Sequence, residues 1–225
     1  KNGCEVVTPR QQTCCGALHL HNGVRDVASD LAKQNIDAFE DENLDAIIIN
    51  SAGCGATLKE YEALLENDGT YAEKAERFSH KMRDISEFLA EIEMVPPTGK
   101  IEKRVTYDAP CHLLHGQGVQ MQPRKVLQAI PGLELIELTE SEWCCGSAGI
   151  YNITQPELSQ EILERKMAHI AETDADIVAT GNPGCLLQIQ LGIQKHELPM
   201  QAMHPVNLLD YAYRGISPED FLPKS

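Results

Sequence analysis

"TCCGALHLHNG" at residues 13–23 is echoed by "WCCGSAGIYNI" at residues 143–153, which sets Cys14 and Cys144 130 residues apart. The echo extends in both directions. "LDAIIINSAGC", ending at Cys54, matches "ADIVATGNPGC", ending at Cys185, at an offset of 131. Upstream, "GCEVVTPRQQTCCG" lines up with "GLELIELTESEWCCG" at 132–146. Three landmarks at nearly one offset define two copies of a single unit. The reading places a first copy at 1–93, a linker "MVPPTGK" at 94–100 with two prolines and a glycine, and a second copy at 101–225.

The second copy alternates strand and helix. Strand "RVTYDAPC" (104–111) carries Val105 and Tyr107 in alternation and reads as half-buried. "PRKVLQAI" opens a helix with Pro123 in a favourable first-turn position. Strand "LELIEL", the CCG turn and a helix over "PELSQEILERKMAHIAET" follow, with Leu158, Ile162, Met167 and Ile170 as its apolar face. Strand "DIVAT" then leads through "NPGC" into the helix "LLQIQLGI", and "VNLLDYAYRG" forms a helix stopped at Gly215. The expected fold class is therefore α/β, two tandem Rossmann-like βαβ repeats with mainly parallel sheets. In such sheets ligands gather where strand C-terminal ends meet helix N-termini. "DAPC", "EWCCG" and "GNPGC" all fall at such ends, so Cys111, Cys144, Cys145 and Cys185 can converge although 74 residues separate the first from the last.

The first copy offers the CCG turn, a helix from about Val24, strand "DAIIIN", the "SAGC" turn and a helix "ATLKEYEALLEN". A longer helical stretch, "YAEKAERFSHKMRDISEFLAEI", comes next, and its end parallels "VNLLDYAYRG". "CEVVTP" reads as a strand already under way. The counterpart of Cys111 falls about 19 residues ahead of Lys1, so an upstream segment is expected to carry it. Cys4 aligns with Glu134 on a strand flank rather than with a repeated cysteine, which leaves it outside the set.

Lys and Arg number 19 against 34 Asp and Glu, a net charge of −15. Such a surface repels nucleic-acid phosphates and anionic lipid. No apolar run approaches the length of a membrane span. The eight cysteines are an even number, but the chain is long, shows no secretory h-region, and vicinal cysteines close a disulfide ring only under strain.

Four thiolates can hold zinc or an iron–sulfur cluster. Structural zinc favours short C-x2–4-C pairs, whereas adjacent cysteines project in different directions and suit a centre several ångströms across. A zinc-stabilised scaffold and a thiol–disulfide site at Cys144 and Cys145 remain open on these residues alone. Gly16 and Gly146 let the backbone turn close to a bulky group, as do Gly53 and Gly184 before the last cysteine. His19, His21, His112 and His115 cluster nearby and are assigned no role.

The paired CCG turns, the distant "GC" and the leading "PCH" resemble the cysteine-rich CCG domain family. That family includes the heterodisulfide reductase catalytic subunit, lactate-utilisation proteins, and iron–sulfur subunits of anaerobic glycerol-3-phosphate dehydrogenase and glycolate oxidase. "TCCGALHLHNG" and "DAPCHLLHGQGV" through "WCCGSAGIYNI" resemble the glycolate oxidase branch most. The resemblance implies an electron-transfer subunit of a flavin-dependent 2-hydroxy-acid (glycolate) dehydrogenase. FAD would sit on a partner subunit, and an N-terminal ferredoxin-like module would belong to the full-length protein. The implied location is cytoplasmic, including the inner face of the cytoplasmic membrane as a peripheral protein. Carried over by position, Cys111, Cys144, Cys145 and Cys185 would ligate one cluster of the 4Fe-4S type. Cys14, Cys15 and Cys54 would serve another, completed by a cysteine outside this chain. The heterodisulfide reductase pattern adds a fifth cysteine in C-P-x-C. Asn182 and Ser51 stand at that position here, which weighs against disulfide-reducing chemistry.

Overall fold

The computed structural model describes residues 1–40 and 43–218. The first copy runs through helices α1 (Ala17–His21) and α2 (Arg25–Ala38), strand β1 (Ile47–Ile49), and helices α3 (Ala52–Lys59), α4 (Tyr61–Leu64) and α5 (Ala72–Lys81). Strand β2 (Met82–Asp84) and helix α6 (Ile85–Glu91) close it. The second copy opens with β3 (Arg104–Tyr107), a π-helical turn (His112–Gly116), α7 (Gln122–Gln128) and β4 (Glu134–Ile136). It continues with α8 (Tyr151–Thr154), α9 (Pro156–Glu172), β5 (Ile177–Ala179), α10 (Pro183–Lys195), β6 (Gln201–Met203) and α11 (Pro205–Arg214).

The second-copy strands form one parallel sheet in the order β4-β3-β5-β6, with Val105 opposite both Leu135 and Ile177. From β3 the chain moves to β4 on one side, then returns to β5 on the other. Loops leaving β3 and β5 therefore diverge, which makes the C-terminal ends of these two strands the topological switch point of the sheet. Val105, Tyr107, Ile177 and Ala179 pack on one face against Val126 and Leu127 of α7 and Leu208 and Leu209 of α11. Val178 faces the other way, toward Leu163 and Met167 of α9 and Ile189 and Ile193 of α10. Among the described residues the first copy repeats the β5–β6 half of this plan, with β1 and β2 paired in parallel and Ile47 opposite Met82. The α/β class with parallel sheets in two repeats is what the sequence predicts.

Four local expectations need correction. "CEVVTP" forms no strand, and Val6 and Val7 are exposed. Its counterpart β4 is an edge strand held by β3 alone, and among the described residues the first copy has nothing equivalent to β3 to pair with. The long helix over 71–92 breaks at β2. Met82 is wholly buried beside β1, and Asp84 starts a new helix as its cap, accepting the Ser86 N–H at 2.8 Å while Glu87 accepts the Asp84 N–H. The helix over 56–67 breaks at Glu60. Strand β3 is buried on both faces, Thr106 included, as a central strand must be.

The two copies share packing. Ile85 and Leu89 of α6 join the core under the second sheet, across the 94–100 connection. Positions 219–225 of the expected second repeat lie outside the described residues.

Candidate functional site

In both copies the CCG turn has the same build. Gly16 and Gly146 take left-handed backbone with φ of 81° and 88°, and their N–H groups point back at the first cysteine sulfur. Gly16 N donates to Cys14 Sγ at 3.5 Å and Gly146 N to Cys144 Sγ at 3.3 Å. A Cβ on Gly146 would lie 2.4 Å from Ser159 O, so helix α9 presses directly on the turn. Ser159 Oγ fixes that approach by donating to Gly146 O at 2.8 Å.

The third element of each copy is a helix N-terminus. Cys54 and Cys185 stand at the third positions of α3 and α10, in the first turn, where free N–H groups favour anionic sulfur. The residue before each helix is polar and acts on that sulfur: Asn182 Nδ2 donates to Cys185 Sγ at 3.4 Å, and the Ser51 hydroxyl favours the thiolate of Cys54. These are the two positions where the longer family pattern has its extra cysteine. Polar donors occupy them instead. Cys111 caps the π-helical turn after β3, with its sulfur 3.6 Å from His112 Nδ1.

The structure brings Cys111, Cys144, Cys145 and Cys185 together as a string. Cys111 neighbours Cys144, Cys144 neighbours Cys145, and Cys145 neighbours Cys185, closely enough for each to act on the next. Donation from Cys111 and Cys145, aided by the Gly146 N–H, draws Cys144 far below the usual thiol range. Their bonds to Cys144 push Cys111 and Cys145 up, and burial adds to both. In the first copy, Cys15 donates to Cys54, which comes down to about 6, while that bond and burial push Cys15 up. Each set thus has one thiol whose ionisation its neighbours favour, and the thiolate is the form that takes up metal. Cys14 is exposed and Cys4 is exposed, the latter bonding only Asn2 O.

The width of the set tests which centre fits. Tetrahedral zinc with bonds of about 2.3 Å needs its four sulfurs about 3.8 Å apart pairwise. Among the described residues no three cysteine sulfurs lie within 4.8 Å of one another. The string is too open for a single small ion and suits a centre with several metal atoms. The N–H donors already aimed at sulfur are the kind that tune such centres.

The two sites meet where the copies meet. Ala52 N donates to Gly181 O at 3.0 Å and Gly53 N to Asn182 Oδ1 at 3.1 Å. Gln117 Nε2 donates to Ala52 O at 3.0 Å, and Ala52, Leu113 and Val119 form a small apolar cluster beside it. His21 and His112 face each other with ring centroids 5.6 Å apart, one from each copy.

Sequence reasoning missed the supporting shell. The buried face of α9 is Ser159, Leu163, Lys166, Met167 and Ile170, so Leu158 is exposed and the expected face is rotated. A serine and a lysine inside an apolar spacing were the available signal. Ser51 and Asn182, both cap-forming types three residues before a cysteine, were another.

Comparison with known proteins agrees with this geometry. The cysteine-rich domain model CCG matches residues 1–59 and 105–190. The chain is 44% identical over 211 residues to "Probable glycolate oxidase iron-sulfur subunit" of Bacillus subtilis, covering 92% of this chain and 48% of that protein. It is 38% identical over 220 residues to a fumarate reductase (CoM/CoB) subunit of Methanothermobacter marburgensis, covering 95% and 41%. It is 34% identical over 214 residues to "Lactate utilization protein A" of Oceanobacillus iheyensis, covering 95% and 87%. The chain thus spans less than half the length of the first two. Among the described residues no helix is long and apolar enough to cross a membrane. With both motif copies matched and their cysteines gathered at equivalent strand and helix ends, the chain belongs to the CCG cysteine-rich domain family.

Proposed function

We propose that this chain is the cluster-bearing part of an iron–sulfur electron-transfer subunit serving a flavin-dependent 2-hydroxy-acid dehydrogenase, with glycolate as the substrate class. The single observation that carries the reading is the open string of four thiols at the switch point of the second sheet. Cys111, Cys144, Cys145 and Cys185 would hold one cluster there, of the 4Fe-4S type. The cluster would supply one-electron chemistry, and the chain's own groups would hold and tune it: Gly146 N–H and Asn182 Nδ2 by donating to sulfur, α10 by its N-terminal field. No residue here is asked to touch the hydroxy acid. FAD and substrate belong to a partner subunit. The expected repeat boundaries at 1–93 and 101–225 and a ferredoxin-like module elsewhere in the whole protein are part of the same proposal.

Cys14, Cys15 and Cys54 would hold a second cluster with a cysteine from outside this chain. Inequality of the two copies supports this. Helix α3 is covered by the π-helical turn, leaving Ala52 wholly buried and Ala56 only 4% exposed. Their counterparts on α10 are Pro183 and Leu187, and Leu187 is 75% exposed. A first-copy equivalent of the cysteine-bearing turn would sit on that open face.

The test is anaerobic mixing of the iron-loaded protein with its flavin-containing partner and glycolate. Bleaching of cluster absorbance that requires both flavin and glycolate supports the reading. A cluster that stays oxidised while the flavin is reduced contradicts it.

A further inference from the structure

One buried ion pair lies beneath the second cysteine set. Lys166 Nζ stands 2.9 Å from Asp108 Oδ1, with side chains 0% and 2% exposed. The ammonium also donates to Glu140 O at 2.9 Å and Ser141 O at 3.0 Å, and Asp108 Oδ2 accepts from Thr180 Oγ1 at 2.9 Å. Every anchor lies at the root of a cysteine loop. Asp108 precedes Cys111, Glu140 and Ser141 precede Cys144, and Thr180 precedes Cys185.

The first copy solves the same packing problem without charge. Buried positions 28, 32, 35 and 36 of α2 correspond at one offset to 159, 163, 166 and 167 of α9, so Asn35 is the counterpart of Lys166. Asn35 Nδ2 donates to Cys14 O at 3.0 Å, and its Oδ1 accepts the Thr13 N–H at 2.9 Å. A neutral amide is therefore enough to tie α2 to a CCG turn. Burying a charge pair brings no reliable gain in stability over apolar or neutral groups of similar size. Stapling alone therefore does not call for a charge pair. Both charges sit at the roots of the sulfur-bearing loops: Asp108 lies three residues before Cys111, and the Lys166 ammonium is bonded to the carbonyls of Glu140 and Ser141 just ahead of Cys144.

We propose that the Asp108–Lys166 pair is a charge couple that tunes the reduction potential of the second-copy centre and sets it apart from the first. Lys166 favours the more negative, reduced form and Asp108 opposes it. The inference rests on the iron–sulfur reading of Cys111, Cys144, Cys145 and Cys185.

The test is an EPR-monitored redox titration of the iron-loaded chain as wild type, Lys166→Met, Lys166→Arg, Asp108→Asn and the double variant Asp108→Asn/Lys166→Met. Lys166→Met is expected to make reduction about tenfold less favourable, about 59 mV for a one-electron couple, and Asp108→Asn to move it the other way. Lys166→Arg should stay near wild type, and the double variant should return toward it. Should Lys166→Met fail to fold, Asp108→Asn must still raise the potential. Folded, iron-loaded single variants whose potentials shift together, or not at all, overturn the proposal. So does loss of iron from every folded variant, because the pair would then only hold the loops. A wild-type protein that takes up no iron overturns the underlying iron–sulfur reading as well, and is told apart by that.

Discussion

Asn182 Oδ1 accepts the Gly53 N–H at 3.1 Å while the same amide donates to Cys185 Sγ at 3.4 Å, so one side chain touches both cysteine helices. It links the copies and orients a sulfur. Asn182→Ala removes both roles and leaves the Gly53 N–H short of its partner. The expected cost is about 1–2 kcal/mol in anaerobic urea unfolding. An unchanged midpoint would show that the bridge carries no energy.

Gly146 and Gly149 separate conformational strain from space. Both have positive φ, but a Cβ at 146 meets the Ser159 carbonyl at 2.4 Å, whereas one at 149 meets nothing within 4 Å. Gly149→Ala is expected to cost about 1 kcal/mol. Gly146→Ala must also push α9 off the turn, and should cost more than about 3 kcal/mol and lower iron uptake. Equal thermal shifts in the two variants would contradict the close approach.

His204 gives the fold a pH dependence. Its ring is buried, its Nδ1 accepts the Val206 N–H at 3.1 Å as the cap of α11, and burial holds its pKa below the usual 6.5. The folded state therefore binds a proton more weakly than the unfolded state. Stability from this group is complete above about pH 6.5 and is lost as pH falls through the lower folded value. His204→Asn keeps a capping side chain and should flatten unfolding free energy measured between pH 7 and the acid range, about 5. A wild-type profile already flat there would remove His204 as the cause.

Much of this architecture was legible in the sequence because repeats and sulfur spacing are long-range signals that survive local ambiguity. The CCG turns, both GC helix starts and the convergence of Cys111 with Cys144, Cys145 and Cys185 follow from strand ends being neighbours in a parallel sheet. What was hidden depended on tertiary partners. Residues 82–84 read as helix because Met82 and Arg83 suit one, yet pairing with β1 makes them a strand. "CEVVTP" has strand composition but no neighbour to complete it. Lys166 reads as surface by residue type, and only the acceptors at Asp108, Glu140 and Ser141 make its burial intelligible.

Leu187 tests the proposed unequal coverage of the copies. In the 225-residue chain Leu187→Asp should change stability by less than about 0.5 kcal/mol, whereas Ala56→Asp at the covered twin should cost more than about 3 kcal/mol. In a longer polypeptide that supplies the first-copy cysteine turn, Leu187→Asp should become costly and lower iron uptake at that site. An effect of the same size in both lengths would mean that nothing seats there.

The decisive property is whether Cys111, Cys144, Cys145 and Cys185 hold one multi-iron centre. Anaerobic quantification of iron, zinc and acid-labile sulfide, with EPR of the reduced protein, tests this directly in wild type, Cys145→Ala, Cys185→Ala and Cys4→Ala. Wild type and Cys4→Ala are expected to carry about four irons with matching sulfide and a reduced-cluster signal. Cys145→Ala and Cys185→Ala should lose them. Zinc without sulfide in wild type, or equal iron in all four proteins, would contradict the account.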